Sequence, residues 1–205
     1  MSIEHVSDTA RWVAVYRAME SERPDALFSD PFARKLAGEK GDEIVRTMKD
    51  ARTMAWAMIV RTQVFDEIIM AEVATDGIDL VVNLAAGLDA RPWRLALPLS
   101  LRWVDVDLPD ILRYKLDTLG DAKPRCAYEA VEADLTDASV RQALFARLGA
   151  ASKRALILTE GLLIYLSAEQ VGALAADLHA QPSFERWVID LANPRLLKMM
   201  TQSWE

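Results

Sequence analysis

Five short apolar runs recur about every 25 residues in the second part of the chain, and the segments between them have helical patterns. The runs, interpreted as strands, are 80–84, 101–106, 127–131, 155–159 and 186–190. The intervening segments, interpreted as helices, are 90–96, 109–119, 138–148 and 168–179. Strands and helices that alternate at this spacing favour βαβ units, which build a parallel sheet. The predicted fold class is therefore α/β, with a central, mostly parallel sheet and helices on both faces.

The part of the chain before these runs has helical patterns instead. Its predicted elements are a helix capped by Asp8 that runs through Arg11–Met19, a short helix through Phe32–Leu36, and a long helix from about Ala51 to Ala74. Pro24 and the Ser29-Asp30-Pro31 turn separate the first two. The predicted organisation is a helical N-terminal extension over 1–75, which packs beside the sheet and covers its cleft, followed by an α/β core over 76–205.

Composition narrows the function classes. The 205 residues carry a net charge of −7, which argues against broad binding to nucleic acid or anionic lipid. Cys126 is the single cysteine, so neither an intramolecular disulfide nor a cysteine zinc cluster is expected. His5 and His179 are far apart in sequence, which disfavours a two-histidine metal site and a Ser-His-Asp triad. No signal peptide and no apolar stretch of about 20 residues is found, so the predicted compartment is the cytoplasm.

Ligands of open α/β sheets bind at the carboxyl ends of the strands, near the point where strand order reverses. The turn after the first run contains Gly87, where a missing Cβ allows a ligand to approach the backbone. One glycine is a poor match to the three-glycine dinucleotide fingerprint, so a simple tight turn is the alternative. The second run ends in Asp105 and Asp107, placed to accept hydrogen bonds from ribose hydroxyls. Capping of the next helix, before Pro109, is the alternative for Asp107.

Acidic residues also follow the third and fourth runs. Asp134 and Leu135 suit an adenine ring, with the carboxylate accepting from the exocyclic amine; a plain turn residue is the alternative for Asp134. Glu160 interrupts an apolar run, where a charge costs free energy unless it is paired. An ammonium group of a ligand or a structural salt bridge would satisfy it. Arg61, in the long helix, is either a solvated surface charge or a bidentate partner for a ligand carboxylate.

Several of these segments occur together in one known family. The chain resembles the leucine carboxyl methyltransferase family, especially its bacterial branch of S-adenosylmethionine-dependent O-methyltransferases. The resemblance covers nearly the whole chain. It is carried in order by Thr9-Ala10-Arg11, Asp25–Ala33, Arg61-Thr62 with Phe65-Asp66, Asn83–Arg91, Val106–Pro109 with Lys115, Asp134-Leu135 and Glu160–Leu166.

The resemblance implies a class I methyltransferase (Rossmann-like) fold with S-adenosylmethionine across the strand ends. It also implies a role for each matching residue. Arg61 would hold the methionine carboxylate, Gly87 would underlie the methionine part, Asp107 would take the ribose hydroxyls with Asp105 as a helper, Asp134 and Leu135 would bind adenine, Glu160 would sit near the amino group, and Arg11 would be a further carboxylate contact.

The acceptor is expected to be a small molecule or a protein C-terminus, methylated on a carboxylate or a hydroxyl. A carboxylate needs no general base, whereas a hydroxyl would need one, with Tyr165 or Glu160 as candidates. Tyr16, Arg17 and Tyr165 are the candidate acceptor-side residues. The alternatives are a non-catalytic cofactor-binding or regulatory protein of the same fold and a nicotinamide dehydrogenase.

The C-terminal part is expected to differ from the relatives. They continue past the fifth strand with two further strands, one of them antiparallel, whereas this chain ends in a predicted helix after Asn193-Pro194. The chain is then a fragment, a protein whose pocket another subunit completes, or an inactive protein. An exposed apolar sheet edge predicts a homodimer or aggregation.

Overall fold

The computed structural model describes residues 6–48, 51–75 and 77–193. Three helices come first: α1 (Val6–Ser21), α2 (Ala33–Thr47) and α3 (Ala51–Thr75). The alternating part contains β1 (Leu80–Leu84), α4 (Arg91–Arg94), β2 (Arg102–Asp107), α5 (Pro109–Leu119), β3 (Ala127–Glu132), α6 (Ala138–Ala150), β4 (Ala155–Thr159), a short 3₁₀ helix (Leu163–Tyr165), α7 (Ala168–His179) and β5 (Phe184–Ile189).

The five strands form one sheet in the order β3-β2-β1-β4-β5, and every pairing is parallel. The chain moves outward from β1 to β3 and then returns to β4, so strand order reverses between β1 and β4. The predicted α/β fold class is confirmed. The apolar runs located the strands closely, although β5 ends at Ile189 and leaves Asp190 just beyond the strand.

Both faces of the sheet are covered by helices because successive strand residues point to opposite sides. Val82 packs on one face in a cluster with Phe145 of α6 and Leu174 of α7. Its neighbour Val81 packs on the other face with Phe65 and Ile69 of α3. Every residue of β1 and β4 is buried, and strands buried on both faces are expected to read as continuous apolar runs, which is why these two were visible in the sequence.

The N-terminal helices share an apolar core with the α/β part. Ala14 of α1 and Leu36 of α2 pack with Leu88, just after β1, and with Ile111 of α5. The short helix expected over 32–36 is longer, because α2 continues past a kink at Gly38 (φ +61°) to Thr47.

The expected cap of the first helix is wrong. Asp8 lies inside α1, two residues after its first residue, and its buried carboxylate forms an ion pair with Lys40 of α2 at 2.7 Å. It therefore joins two helices instead of starting one.

Two predictions fall on parts of the chain that are not described. The helix expected after Asn193-Pro194 lies outside the described residues, as does Asp76 at the expected domain boundary. Across 6–48, 51–75 and 77–193, no helix combines the length and the apolar character that a membrane crossing needs.

Candidate functional site

A cavity of about 360 Å³ opens at the carboxyl ends of β1 to β4, where strand order reverses, and α1 and α3 form its remaining walls. Most residues proposed from the sequence line it. These are Arg17, Arg61, Gly87, Asp107, Asp134, Leu135, Glu160 and Tyr165. We call Gly87, Asp107 and Asp134 the aspartate end of the cavity, and Arg61, Arg91 and Glu160 its arginine end.

At the aspartate end, Asp107 is held by two backbone N–H groups. Its Oδ2 accepts from Gly87 N at 2.6 Å and its Oδ1 from Leu108 N at 2.7 Å. Burial raises the pKa of Asp107, and these two donors only partly offset the rise. The helix-capping alternative is not observed, because α5 begins at Pro109 with Leu108 as its N-cap and no side-chain cap bond.

The turn after β1 comes close to α1 and adopts left-handed backbone at two positions. Ala85 has φ +56° and Gly87 has φ +51°. A Cβ added at Gly87 would lie 3.2 Å from the Cβ of Ala10 on α1. Glycine is therefore favoured at position 87 by both conformation and space, and the bare backbone there borders the cavity.

The turn after β3 contributes the exposed Asp134 and the half-buried Leu135. Asp134 Oδ1 accepts from Thr136 N at 2.9 Å and from Thr136 Oγ1 at 2.7 Å, so the carboxylate does stabilise a turn. Its Oδ2 makes no hydrogen bond to any described residue and remains available at the cavity.

At the arginine end, Glu160 is fully paired within the protein. Its Oε1 accepts from Arg61 Nε at 2.9 Å and its Oε2 from Arg91 Nη1 at 2.7 Å. Burial would raise the pKa of Glu160, but the charges of Arg91 and Arg61 outweigh it and lower the pKa. Glu160 therefore makes the structural salt bridge that was one of its two alternatives. Its expected place near the amino group of a ligand stays a prediction.

Arg91 continues this ion-pair network into the protein. It donates from Nε to Asp66 at 2.6 Å and from Nη1 to Asp89 at 2.8 Å. Burial alone would lower the pKa of Arg91, but the three surrounding carboxylates raise that pKa well above its ordinary value. Burial would raise the pKa of Asp89, but the charges of Arg91, Lys115, Arg94 and Arg17 together outweigh it and lower the pKa. Asp89, Arg91 and Glu160 are therefore all charged at neutral pH.

Arg61 keeps one donor for the cavity. Its Nη1 donates to Asp190 at 2.9 Å, whereas its Nη2 has no hydrogen-bond partner among the described residues. Its side chain is only 16% exposed, so Arg61 is not a solvated surface charge.

The structure corrects two predicted ligand contacts, because neither side chain lines the cavity. Asp105 is fully buried, and its carboxylate accepts from Lys115 Nζ (2.5 Å), Trp103 Nε1 (2.8 Å) and Tyr128 Oη (2.9 Å). With its oxygens occupied by these donors, Asp105 is a structural anion and not a helper at the ribose. Arg11 instead stacks over the ring of Tyr114, with the guanidinium carbon 3.8 Å from the ring centroid.

Of the three acceptor-side candidates, two line the cavity and one does not. Tyr165 lines the cavity next to Thr9, and burial raises the pKa of its phenol despite the hydrogen bond with Thr9. Arg17 lines the cavity too, but it is held by Asp30 at 2.9 Å and by the carbonyl of Leu88 at 2.6 Å. Tyr16 is buried in the α1–α3 core and does not line the cavity, which corrects that prediction.

Sequence reasoning missed Asp89, Arg91 and Asp190. Asp89 and Arg91 lie within the segment that carries the family resemblance but were given no role. Asp190 follows the fifth strand, so the rule applied to the acids after the earlier strands would have selected it. Pairing between distant arginines and carboxylates has no local sequence signal.

Comparisons with known proteins identify the family of this chain. A family model described as Leucine carboxyl methyltransferase matches residues 10–179. A protein from Parafrankia sp. (strain EAN1pec), named as an S-adenosyl-L-methionine-dependent methyltransferase, is 40% identical over 183 residues, which cover 84% of this chain and 58% of that protein. A similarly named protein from Streptomyces coelicolor is 37% identical over 189 residues, covering 84% and 64%.

Solved structures share the fold. A DUF574 family protein from Streptomyces avermitilis superposes with a TM-score of 0.64 at 16% identity, covering 96% of this chain and 74% of that one. A protein from Thermobifida fusca described as a methyltransferase superposes with a TM-score of 0.57 at 18% identity, covering 95% and 71%. The chain spans about three fifths of the length of the curated relatives it matches. It belongs to the leucine carboxyl methyltransferase family.

Proposed function

We propose that this family member binds S-adenosylmethionine in the cavity and transfers its methyl group to a carboxylate oxygen of an acceptor. The observation that carries the proposal is that Arg61, Asp107, Asp134 and Glu160, which are far apart in sequence, line one cavity at the reversal of strand order. Ligands of open α/β sheets bind at this position. The names of the relatives support the same cofactor.

The chemistry of the aspartate end fits the nucleoside part of this cofactor. Asp107 would accept hydrogen bonds from the ribose hydroxyls, and the free Oδ2 of Asp134 would accept from the adenine amine. Leu135 would cover the adenine ring. The bare backbone at Gly87 leaves room for the chain that joins ribose to the amino acid.

The arginine end fits the amino-acid part. The free Nη2 of Arg61 would donate to the methionine carboxylate as a charge-assisted hydrogen bond. Glu160 would stabilise the nearby amino group by its charge, while its own hydrogen bonds hold Arg61 and Arg91 in place. When bound, S-adenosylmethionine supplies an electrophilic methyl group on a positively charged sulfur. In an in-line displacement, the bond from this methyl group to the acceptor oxygen would form as its bond to sulfur breaks, which leaves S-adenosylhomocysteine.

A carboxylate acceptor is favoured because, among the described lining residues, neither of the two candidate bases from the sequence, Glu160 and Tyr165, suits that role. No histidine is among those lining residues. The pKa of Glu160 is lowered by the two arginines and the pKa of Tyr165 is raised by burial, so neither group is poised to take a proton near pH 7. An acceptor carboxylate is already an anion, and the protein needs only to align it and exclude water.

Calorimetry with S-adenosylmethionine and S-adenosylhomocysteine, followed by a product assay, tests the proposal. We expect both to bind more tightly than NAD, and S-adenosylhomocysteine to form with carboxylic acids but not with alcohols of the same carbon skeleton. Tighter binding of NAD would overturn the cofactor assignment. Turnover of the alcohols alone would overturn the acceptor class, and binding without turnover of any acceptor would favour a non-catalytic cofactor-binding protein.

A further inference from the structure

Asp190 bridges two parts of the arginine end from a position just beyond β5. Its Oδ2 accepts from Arg61 Nη1 on α3 at 2.9 Å, and its Oδ1 accepts from the backbone N–H of Gly161 at 2.7 Å. One carboxylate thus ties together α3, the turn after β4 and the end of β5.

These contacts determine which edge of the Arg61 guanidinium remains available. Glu160 takes the hydrogen of Nε and Asp190 takes one of Nη1, so Nη2 is the nitrogen without a partner among the described residues. Gly161 lies against the same group: its φ is +71°, and a Cβ there would be 3.2 Å from Arg61 Nη1. The guanidinium is therefore oriented by two carboxylates and packed against a glycine.

We propose that Asp190 is a positioning residue, which orients Arg61 so that Nη2 meets the carboxylate of the bound amino-acid moiety. The inference rests on the proposed function and assigns to Asp190 no contact with the reacting atoms. A long arginine side chain loses rotamer entropy when it is held in one geometry. Because Asp190 and Glu160 hold it before the ligand arrives, binding does not have to meet that cost.

The test uses two ligands that differ in the end Arg61 would bind. S-Adenosylhomocysteine carries the amino-acid moiety, whereas 5′-methylthioadenosine shares its nucleoside and sulfur but lacks that moiety. We expect Asp190→Ala to lower the affinity for S-adenosylhomocysteine about tenfold, as for loss of a hydrogen bond to a charged group. The affinity for 5′-methylthioadenosine should stay unchanged. Asp190→Asn, which keeps an acceptor for Gly161 N–H but removes the charge, should have an intermediate effect.

A double-mutant cycle separates positioning from a general structural role. In an Arg61→Ala protein, Asp190→Ala should cause no further loss of S-adenosylhomocysteine affinity, because the residue it orients is gone. Glu185→Gln is the matched control. It removes a carboxylate of β5 that is paired with Arg154 at 2.8 Å and lies outside the cavity. Both ligands should bind this variant as they bind the unmodified chain.

Three results would overturn the inference. These are an equal loss of affinity for both ligands in Asp190→Ala, an unchanged or higher affinity for S-adenosylhomocysteine, and a loss in the Arg61→Ala background as large as in the unmodified chain. Failure of the proposed function looks different, because the unmodified chain would then bind neither ligand, and the inference would fall with it.

Discussion

The two ends of the cavity hold their carboxylates in opposite ways. At the arginine end, each oxygen of Glu160 meets a guanidinium, and the pKa of the group is lowered in spite of burial. At the aspartate end, backbone N–H groups hold Asp107, and burial raises its pKa. The arginine end is thus electrostatically satisfied without a ligand, whereas the aspartate end keeps a charge that further donors would stabilise.

This difference separates stability from ligand affinity. Charge pairs completed within the protein contribute mainly to the folded structure, although Arg61 keeps one free donor. The half-buried carboxylate of Asp107, held only by backbone N–H groups, lowers stability. Hydrogen bonds from ligand hydroxyls would stabilise its charge. Functional sites commonly carry such local costs, and the rest of the structure offsets them.

The largest expected effect is on stability, at the arginine end. Arg91→Met leaves the buried carboxylate of Asp89 without its ion-pair partner. Glu160 then keeps only Arg61, and Asp66 keeps only Arg94 at 2.6 Å. Loss of one member of a buried ion pair typically costs about 3–5 kcal/mol. We expect the free energy of unfolding, measured in urea, to fall by that amount.

The control for Arg91→Met is an exposed arginine with a similar set of partners. Arg34 makes three hydrogen bonds to Glu22 and Asp42, but its side chain is 44% exposed. Arg34→Met should change the free energy of unfolding by about 0.5 kcal/mol or less. If both variants lose a similar free energy of unfolding, the burial of Arg91 does not make its ion pairs more important for stability than exposed ones.

The next effect is on ligand affinity, at the aspartate end. Asp107→Ala should lower the affinity for both S-adenosylhomocysteine and 5′-methylthioadenosine by roughly 10–100-fold. Both ligands carry a ribose, and both would lose charge-assisted hydrogen bonds to the carboxylate. Calorimetry measures both affinities. Asp110→Ala, an exposed acid on the first turn of α5 that does not line the cavity, is the control. Unchanged affinity in Asp107→Ala would remove the ribose assignment.

The two ends of the cavity should contribute to the pH dependence of stability with opposite signs. Because the pKa of Glu160 is lowered by folding, its contribution to stability is present above its ordinary pKa and is lost as pH falls through the folded value. Because the pKa of Asp107 is raised, its favourable contribution is present below its ordinary pKa and is lost as pH rises through the folded value.

Unfolding in urea at a series of pH values measures these contributions. The stability lost in Glu160→Gln should shrink as the solution is acidified, whereas Asp107→Asn should be at least as stable as the unmodified chain at pH 7 and lose that advantage in acid. The same sign for both variants would contradict the contrast between the two ends.

The aspartate end was more predictable from sequence than the arginine end, for a physical reason. Asp107 and Asp134 could be placed because their position after apolar runs is a local property, and parallel strands bring such positions to one edge. The pairing of Arg91 with Glu160 spans 69 positions and that of Arg61 with Asp190 spans 129. The first contact depends on where α4 lies relative to the end of β4, and the second on how α3 packs against the sheet. The apolar pattern alone specifies neither.

The smallest expected effect concerns backbone strain in the turn that joins the two ends. Ala85 adopts φ +56°, a conformation that costs a non-glycine residue about 1–2 kcal/mol and that the residue type did not reveal in the sequence. Ala85→Gly should raise the free energy of unfolding in urea by about 0.5–1 kcal/mol, because relief of strain exceeds the greater flexibility of glycine in the unfolded chain. Ala90→Gly is the control: with φ −110° there is no such strain to relieve, and stability should fall. If Ala85→Gly instead lowers the free energy of unfolding as Ala90→Gly does, the left-handed conformation of Ala85 carries no strain that glycine relieves.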